Sequence, residues 1–135
     1  MMLNHNGYLN YTIPNNWCAT KDGDNLLLYN PAGNGAITIS FFSVLTTKGS
    51  LAEQISTLAK GFIDKNNIKL HFPLISFNKD GKTFLYGTGT TDGWFIKLWV
   101  VAKYPKIAFA TYHSERNSAE VQVCDAIIDS FQFAF

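Results

Sequence analysis

Apolar and polar residues alternate loosely from Gly7 to Ile13, and Pro14, which has no N–H to give to a ladder, ends the run. Pro14-Asn15-Asn16 reads as a turn, with Trp17 behind it as an apolar anchor. A second turn cluster, Lys21-Asp22-Gly23-Asp24-Asn25, leads into a short strand from Leu26 to Tyr29, which the loop Asn30-Pro31-Ala32-Gly33-Asn34-Gly35 closes. From Ala36 to Val44 the period is two: Ile37, Ile39 and Phe41 share one face, and Thr38 and Ser40 share the other. That is the pattern of a half-buried strand.

Helical spacing begins at Ser50. Ser50-Leu51-Ala52-Glu53 is a capping box, in which the Ser50 hydroxyl accepts from the Glu53 N–H and the Glu53 carboxylate reaches back to the Ser50 N–H. Leu51, Ile55, Leu58 and Phe62 then form one apolar stripe, opposite Glu53, Ser56, Thr57, Lys60 and Asp64. With Asn66-Asn67 as a left-handed stop, this predicts a surface helix over about 50–65, lying on a sheet.

The pattern then turns to strands. Leu70 to Asn78 leads through Asp80-Gly81 into Thr83 to Thr90, Asp92-Gly93 leads into Trp94 to Ala102, and Tyr104-Pro105-Lys106 leads into Ile107 to Tyr112. Four strands joined by such short turns predict an antiparallel meander. In the Trp94 strand one face carries Trp94, Ile96 and Leu98; the other carries Phe95, Trp99 and Val101, interrupted by Lys97. A strand apolar on both faces is normally central and covered on both sides. Val121, Cys124 (or Ile127), Ile128 and Phe131 repeat at helical spacing, which predicts a second helix over about 118–130, and Phe131-Gln132-Phe133 alternates like a terminal strand or extended tail. No repeat or linker divides the sequence, so residues 1–135 are expected to form one α+β domain.

Composition narrows the class. Apolar residues make up 47% and aromatics 15%, but charged residues only 16%, against about 25% in average soluble domains. This excludes disorder. The longest apolar run, Leu98 to Ala102, is far too short to span a membrane. A net charge of +1 argues against nucleic acid as an obligate partner. Met1 to Gly7 shows neither a basic n-region nor an apolar h-region, which gives a cytoplasmic expectation, and there Cys18 and Cys124 would stay reduced.

Three stretches together resemble the PsbP-like superfamily, the fold group of the extrinsic photosystem II subunit PsbP, a yeast Ran-binding nuclear import factor and uncharacterised bacterial domains. They are Tyr11-Thr12-Ile13-Pro14-Asn15-Asn16-Trp17, Gly35-Ala36-Ile37-Thr38-Ile39-Ser40 and Ile127-Ile128-Asp129-Ser130-Phe131-Gln132-Phe133. The order of elements is similar too, so the resemblance covers nearly the whole chain. It implies an α/β/α sandwich whose central antiparallel sheet, of about six to seven strands, is covered by the two helices. The nearest analogy is with the uncharacterised bacterial members, and it transfers no site residue. A fold shared so widely does not specify activity.

The remaining chemistry is sparse. His5, His71 and His113 are the only histidines, and no two stand at metal-ligand spacing. His71 reads as a strand residue facing solvent or as a hydrogen-bonded core histidine. Asp22-Gly23-Asp24-Asn25 lacks the placed glycine and the terminal Glu of a calcium loop, so it reads as a turn. Gly87 and Gly89 miss dinucleotide spacing; on one strand face, they suit close packing of a helix or a large ring. Cys124 on the apolar stripe suits a buried inert thiol. His113-Ser114-Glu115-Arg116 gathers polar groups in a strand-to-helix loop, where functional residues tend to sit or where a solvated loop simply caps the helix.

The aromatics (Trp17, Trp94 and Trp99 with six tyrosines) exceed what a small core needs, and any exposed remainder would mark an interaction patch. The expectation is therefore a non-catalytic domain without metal or cofactor that binds another protein or self-associates through an aromatic, charge-poor surface. The alternative is a small enzyme or ligand-binding protein with a pocket at the end of the sheet near His113, Glu115 and Arg116, with Trp17 as a wall. The binding residues singled out are Trp17, Trp99, His113, Glu115 and Arg116.

Overall fold

Asp80 and Gly81 take φ of 53° and 74°, and Asp92 and Gly93 take 49° and 82°. Both pairs are thus two-residue turns with positive φ throughout, the kind whose twist suits a hairpin. In the computed structural model, which describes residues 1–44 and 49–134, these turns join β7 (Ile75–Lys79), β8 (Lys82–Thr91) and β9 (Trp94–Lys103). The turn at Tyr104-Pro105 adds β10 (Lys106–Ser114), which completes the meander. Before it come β1 (Met2–His5), β2 (Leu9–Thr12), β3 (Cys18–Asp22), β4 (Asn25–Tyr29), β5 (Gly35–Ser43), α1 (Leu51–Lys65) and β6 (Lys69–Leu70). After it come α2 (Glu120–Asp129) and β11 (Gln132–Phe133).

The main sheet runs β3-β4-β5-β10-β9-β8-β6, with β7 also paired to β8, and all its described pairings are antiparallel. It has eight strands rather than six or seven, because β3 and the split of Leu70–Asn78 were not legible as strands. That stretch is two strands, β6 and β7, with Pro73 between them, where a residue without an N–H cannot continue a ladder. A second sheet, β1-β2-β11, joins the two ends of the chain.

Alternation on β9 sorts the core. Ile96, Leu98, Val100 and Ala102 face α1 and pack with Ile55, Ala59 and Ile63. Phe95, Trp99 and Val101 face the other way, toward α2 and the small sheet, with Val121, Cys124, Ile127, Ile128 and Phe131. The main sheet is thus covered by α1 on one face and by α2 with the small sheet on the other. Ser50 caps α1 by accepting from the Glu53 N–H at 3.1 Å, and Asn67 past its end takes φ of 52°. The buried line of α1 is Ile55-Ala59-Ile63, with Leu51, Leu58 and Phe62 half-buried beside it. Gly87 and Gly89 do permit a close approach, but of chain rather than helix: a Cβ on Gly87 would lie 2.5 Å from Leu74, and one on Gly89 2.5 Å from the Lys69 carbonyl.

Candidate functional site

Lys97 stands in the middle of the most apolar strand and is only 8% exposed. A buried ammonium is costly unless it is partnered. Its partner is Asp125 of α2, whose Oδ1 accepts from Lys97 Nζ at 2.7 Å and from Trp99 Nε1 at 3.0 Å. The ammonium also lies 5.0 Å from the centre of the Tyr86 ring and 5.2 Å from that of Trp99, close enough for cation–π attraction.

This pair sits at one end of a groove of about 460 Å³ between α2 and the β7–β9 part of the sheet. Phe77, Phe84, Tyr86 and Trp99 line it, with Ala126 and Ile128 on the helix side. Phe77 stacks on Phe84 across the β7–β8 ladder, with ring centres 4.9 Å apart and planes 2° apart, and meets Tyr86 edge-on. Lys79 and Asp129 pair across the rim at 2.9 Å. The groove combines aromatic walls with one donor–acceptor pair, the composition of a small-molecule site.

Along the groove's outer rim, every residue of β7 is exposed. Phe72 is 71% exposed, Ile75 46% and Phe77 41%, so the largest run of surface hydrophobics coincides with a sheet edge. Because Lys79 and Lys82 close the two-residue turn, the hydrogen-bonded pairs with β8 are those of Ile75, Phe77 and Lys79. The N–H and C=O groups of Ser76 and Asn78 therefore point away from β8, and no other described strand pairs with them.

The residues singled out in the sequence do not converge on one place. Trp99 lies in the groove. Trp17 is buried and borders a different cleft, with His5, Tyr11 and Leu26. His113 is not in a loop: it belongs to β10, is exposed, and borders a shallow cleft on the α1 side with Trp94, Asn66 and Asn67. Glu115 and Arg116 are exposed beyond the strand end, where the Arg116 carbonyl accepts from Ser114 Oγ at 2.6 Å. Among the described residues no three His, Cys, Asp or Glu side chains gather as a possible metal site. Burial pushes the Cys124 thiol up to about 12, which makes it inert.

Sequence reasoning missed Lys97, Asp125, Phe77 and Tyr86 as a group. The signal was the one charge interrupting a two-faced apolar strand, since a cation there requires an anion from another element. It also missed Glu120. Its carboxylate accepts from Tyr112 Oη at 2.9 Å, from the Gly35 N–H at 3.0 Å and from the Asn34 N–H at 3.2 Å, which ties the loop before β5 to the start of α2.

Buried His5 makes stability depend on pH. Burial lowers it from its ordinary value, partly opposed by the Asp24 backbone and reinforced by the charge of Lys21. It binds fewer protons folded than unfolded between its depressed value and about 6.5, so its contribution to stability rises with pH through that window and levels off above it. Urea midpoints are expected to be lower at about pH 5.5 than at about pH 7.5. His5→Phe, which can keep the stack on Phe41, should shrink that difference; an unchanged difference would refute the role of His5.

No protein-family model matches the chain, and no curated protein matches it by sequence. Solved structures do match. The solution structure of cyanobacterial PsbP (CyanoP) from Synechocystis aligns with a TM-score of 0.69 at 11% identity, over 98% of this chain and 91% of that one. A crystal structure from Bacteroides thetaiotaomicron aligns with a TM-score of 0.59 at 14% identity, over 98% of this chain and 47% of that one, so this chain spans about half its length. At such identities the likeness shows the fold, which is PsbP-like.

Proposed function

We propose that this PsbP-like fold serves as a non-catalytic interaction domain that associates with a second copy of itself, or with another protein, by taking an added strand along β7. The free edge of β7 carries the reading: unpaired backbone groups at Ser76 and Asn78, flanked by exposed Phe72, Ile75 and Phe77. Sheet edges of soluble proteins are normally blunted by charge, proline or bulges. The opposite edge follows that rule, since β3 ends in Lys21 and Asp22. From Phe72 to Asn78 there is no charged residue, and β7 itself contains no proline.

Strand addition uses main-chain hydrogen bonds for affinity and alternate side chains for selectivity. Two β7 strands can meet antiparallel about a twofold axis, because the same outward groups recur on both copies. We place the domain in the bacterial cytoplasm. No described helix is long and apolar enough to cross a membrane. A net charge of +1 supports a protein partner over nucleic acid.

Light scattering over a concentration series tests this. The mass of the unmodified chain is expected to rise toward that of a dimer, whereas Ser76→Pro should stay monomeric. The Ser76 N–H is not used by β8, so this proline spares the ladder and should change stability little. A strict monomer at every concentration would remove the self-association form of the proposal.

A further inference from the structure

The Lys97–Asp125 pair is more than the fold requires, since an apolar side chain of similar size would fill position 97 of this strand without a buried charge. The pair is placed at the end of an aromatic groove, where its two charges cancel, as do those of Asp129 and Lys79 at the rim, while leaving both a donor and an acceptor. Lys97 Nζ spends one hydrogen on Asp125 and otherwise faces the rings of Tyr86 and Trp99. The Asp125 side chain is 46% exposed and lines the groove, so the carboxylate is open to a further donor.

We infer that this groove binds a neutral heteroaromatic ring whose edge carries a carbonyl beside an N–H. The carbonyl accepts from Lys97 and the N–H donates to Asp125, while the ring packs among Phe77, Phe84 and Tyr86. Charge selects neutrality: an anionic ligand would meet Asp125, and a cationic one Lys97, at nearly the same distance as its attractive partner. Aromatic walls select a flat ring, because offset and edge-on packing suit π-systems. The volume, about 460 Å³, lies in the range of small-molecule pockets. Lactam-containing nucleobases have the required edge. The inference shares Phe77 with the β7 edge but makes no use of the backbone of Ser76 and Asn78, on which strand addition depends.

Titration of the isotope-labelled protein with guanosine and uridine tests it, read by NMR at the Trp99 indole N–H, which donates to Asp125. Both probes are expected to shift that resonance and the ring signals of Phe77 and Tyr86. Probes methylated at the edge nitrogen, 1-methylguanosine and 3-methyluridine, should bind at least about tenfold more weakly, because a hydrogen bond to a charged group is lost. Asp125→Asn should weaken guanosine by a similar factor. Should that variant fail to fold, Phe77→Ala, at an exposed position, is expected to weaken both probes instead. Ser76→Pro should bind as the unmodified chain does, which separates this site from the edge. The inference is overturned if neither nucleoside moves the Trp99 resonance at millimolar concentration, or if the methylated probes bind equally well.

Discussion

Phe131→Ala is expected to destabilise the domain by about 3–5 kcal/mol, lowering its melting temperature by roughly 10–15 °C. The side chain is 0% exposed and lies where α2 passes into β11, within the core shared by α2, the small sheet and the main sheet. Its backbone is committed as well: its N–H donates to the Ile128 carbonyl at 3.1 Å, and its carbonyl accepts from Lys82 Nζ. Truncation would leave a cavity with few ways to collapse, because the surrounding residues come from a helix and two sheets that fix one another. Phe131→Leu retains most of the volume and should cost clearly less. Thermal and urea unfolding of the two variants measure the difference, and an alanine loss below about 1 kcal/mol would mean that the small sheet is not clamped to the core here.

The second large effect is expected at Glu120. Its carboxylate satisfies the hydroxyl of the fully buried Tyr112 and the N–H groups of Gly35 and Asn34. The geometry is tight: a Cβ on Gly35 would fall 2.1 Å from the His113 carbonyl oxygen, which requires glycine there, and one on Gly33 would push the Glu120 carboxylate aside. Glu120→Ala removes the acceptor of the buried Tyr112 hydroxyl and of the half-buried Gly35 N–H, at about 1–3 kcal/mol. Glu120→Gln keeps an acceptor for Tyr112 and should lose roughly half as much. Tyr112 gives an independent readout. Its pKa is pushed up to about 12, mainly by burial and then by its bond to Glu120, so in the alanine variant its titration should move down. An unmoved Tyr112 titration with unchanged stability would show that the carboxylate does not hold the loop.

Local patterns revealed most of the elements and little of the site. The hairpin turns were plain, because Asp-Gly pairs tolerate positive φ at both positions. The α1 stripe was read about one position off. Ile55 lies on the buried line as read, but Leu51, Leu58 and Phe62 pack half-buried beside it, and the line runs on through Ala59, which a count of large side chains passes over, and Ile63. β1 and its pairing through β2 to β11 join the two ends of the chain, and no local period carries such a pairing. The groove was hidden in the same way. Lys97 was visible as an interruption, but its partner lies on α2, and only the tertiary fold brings Asp125 and Tyr86 beside it. Of the aromatics, Phe72, Phe77, Trp94 and Tyr104 are exposed, while Trp17 and Trp99 are buried, and no local pattern separates the two groups.

Hydrogen exchange at the amides of Ser76 and Asn78, followed as the protein is concentrated, tests strand addition most directly. Both N–H groups point away from β8, so in dilute solution they should exchange freely. They should slow markedly across the concentrations at which scattering reports association, and remain fast in Ser76→Pro at Asn78. Fast, unchanged exchange at both amides in a sample that has associated would contradict the use of this edge.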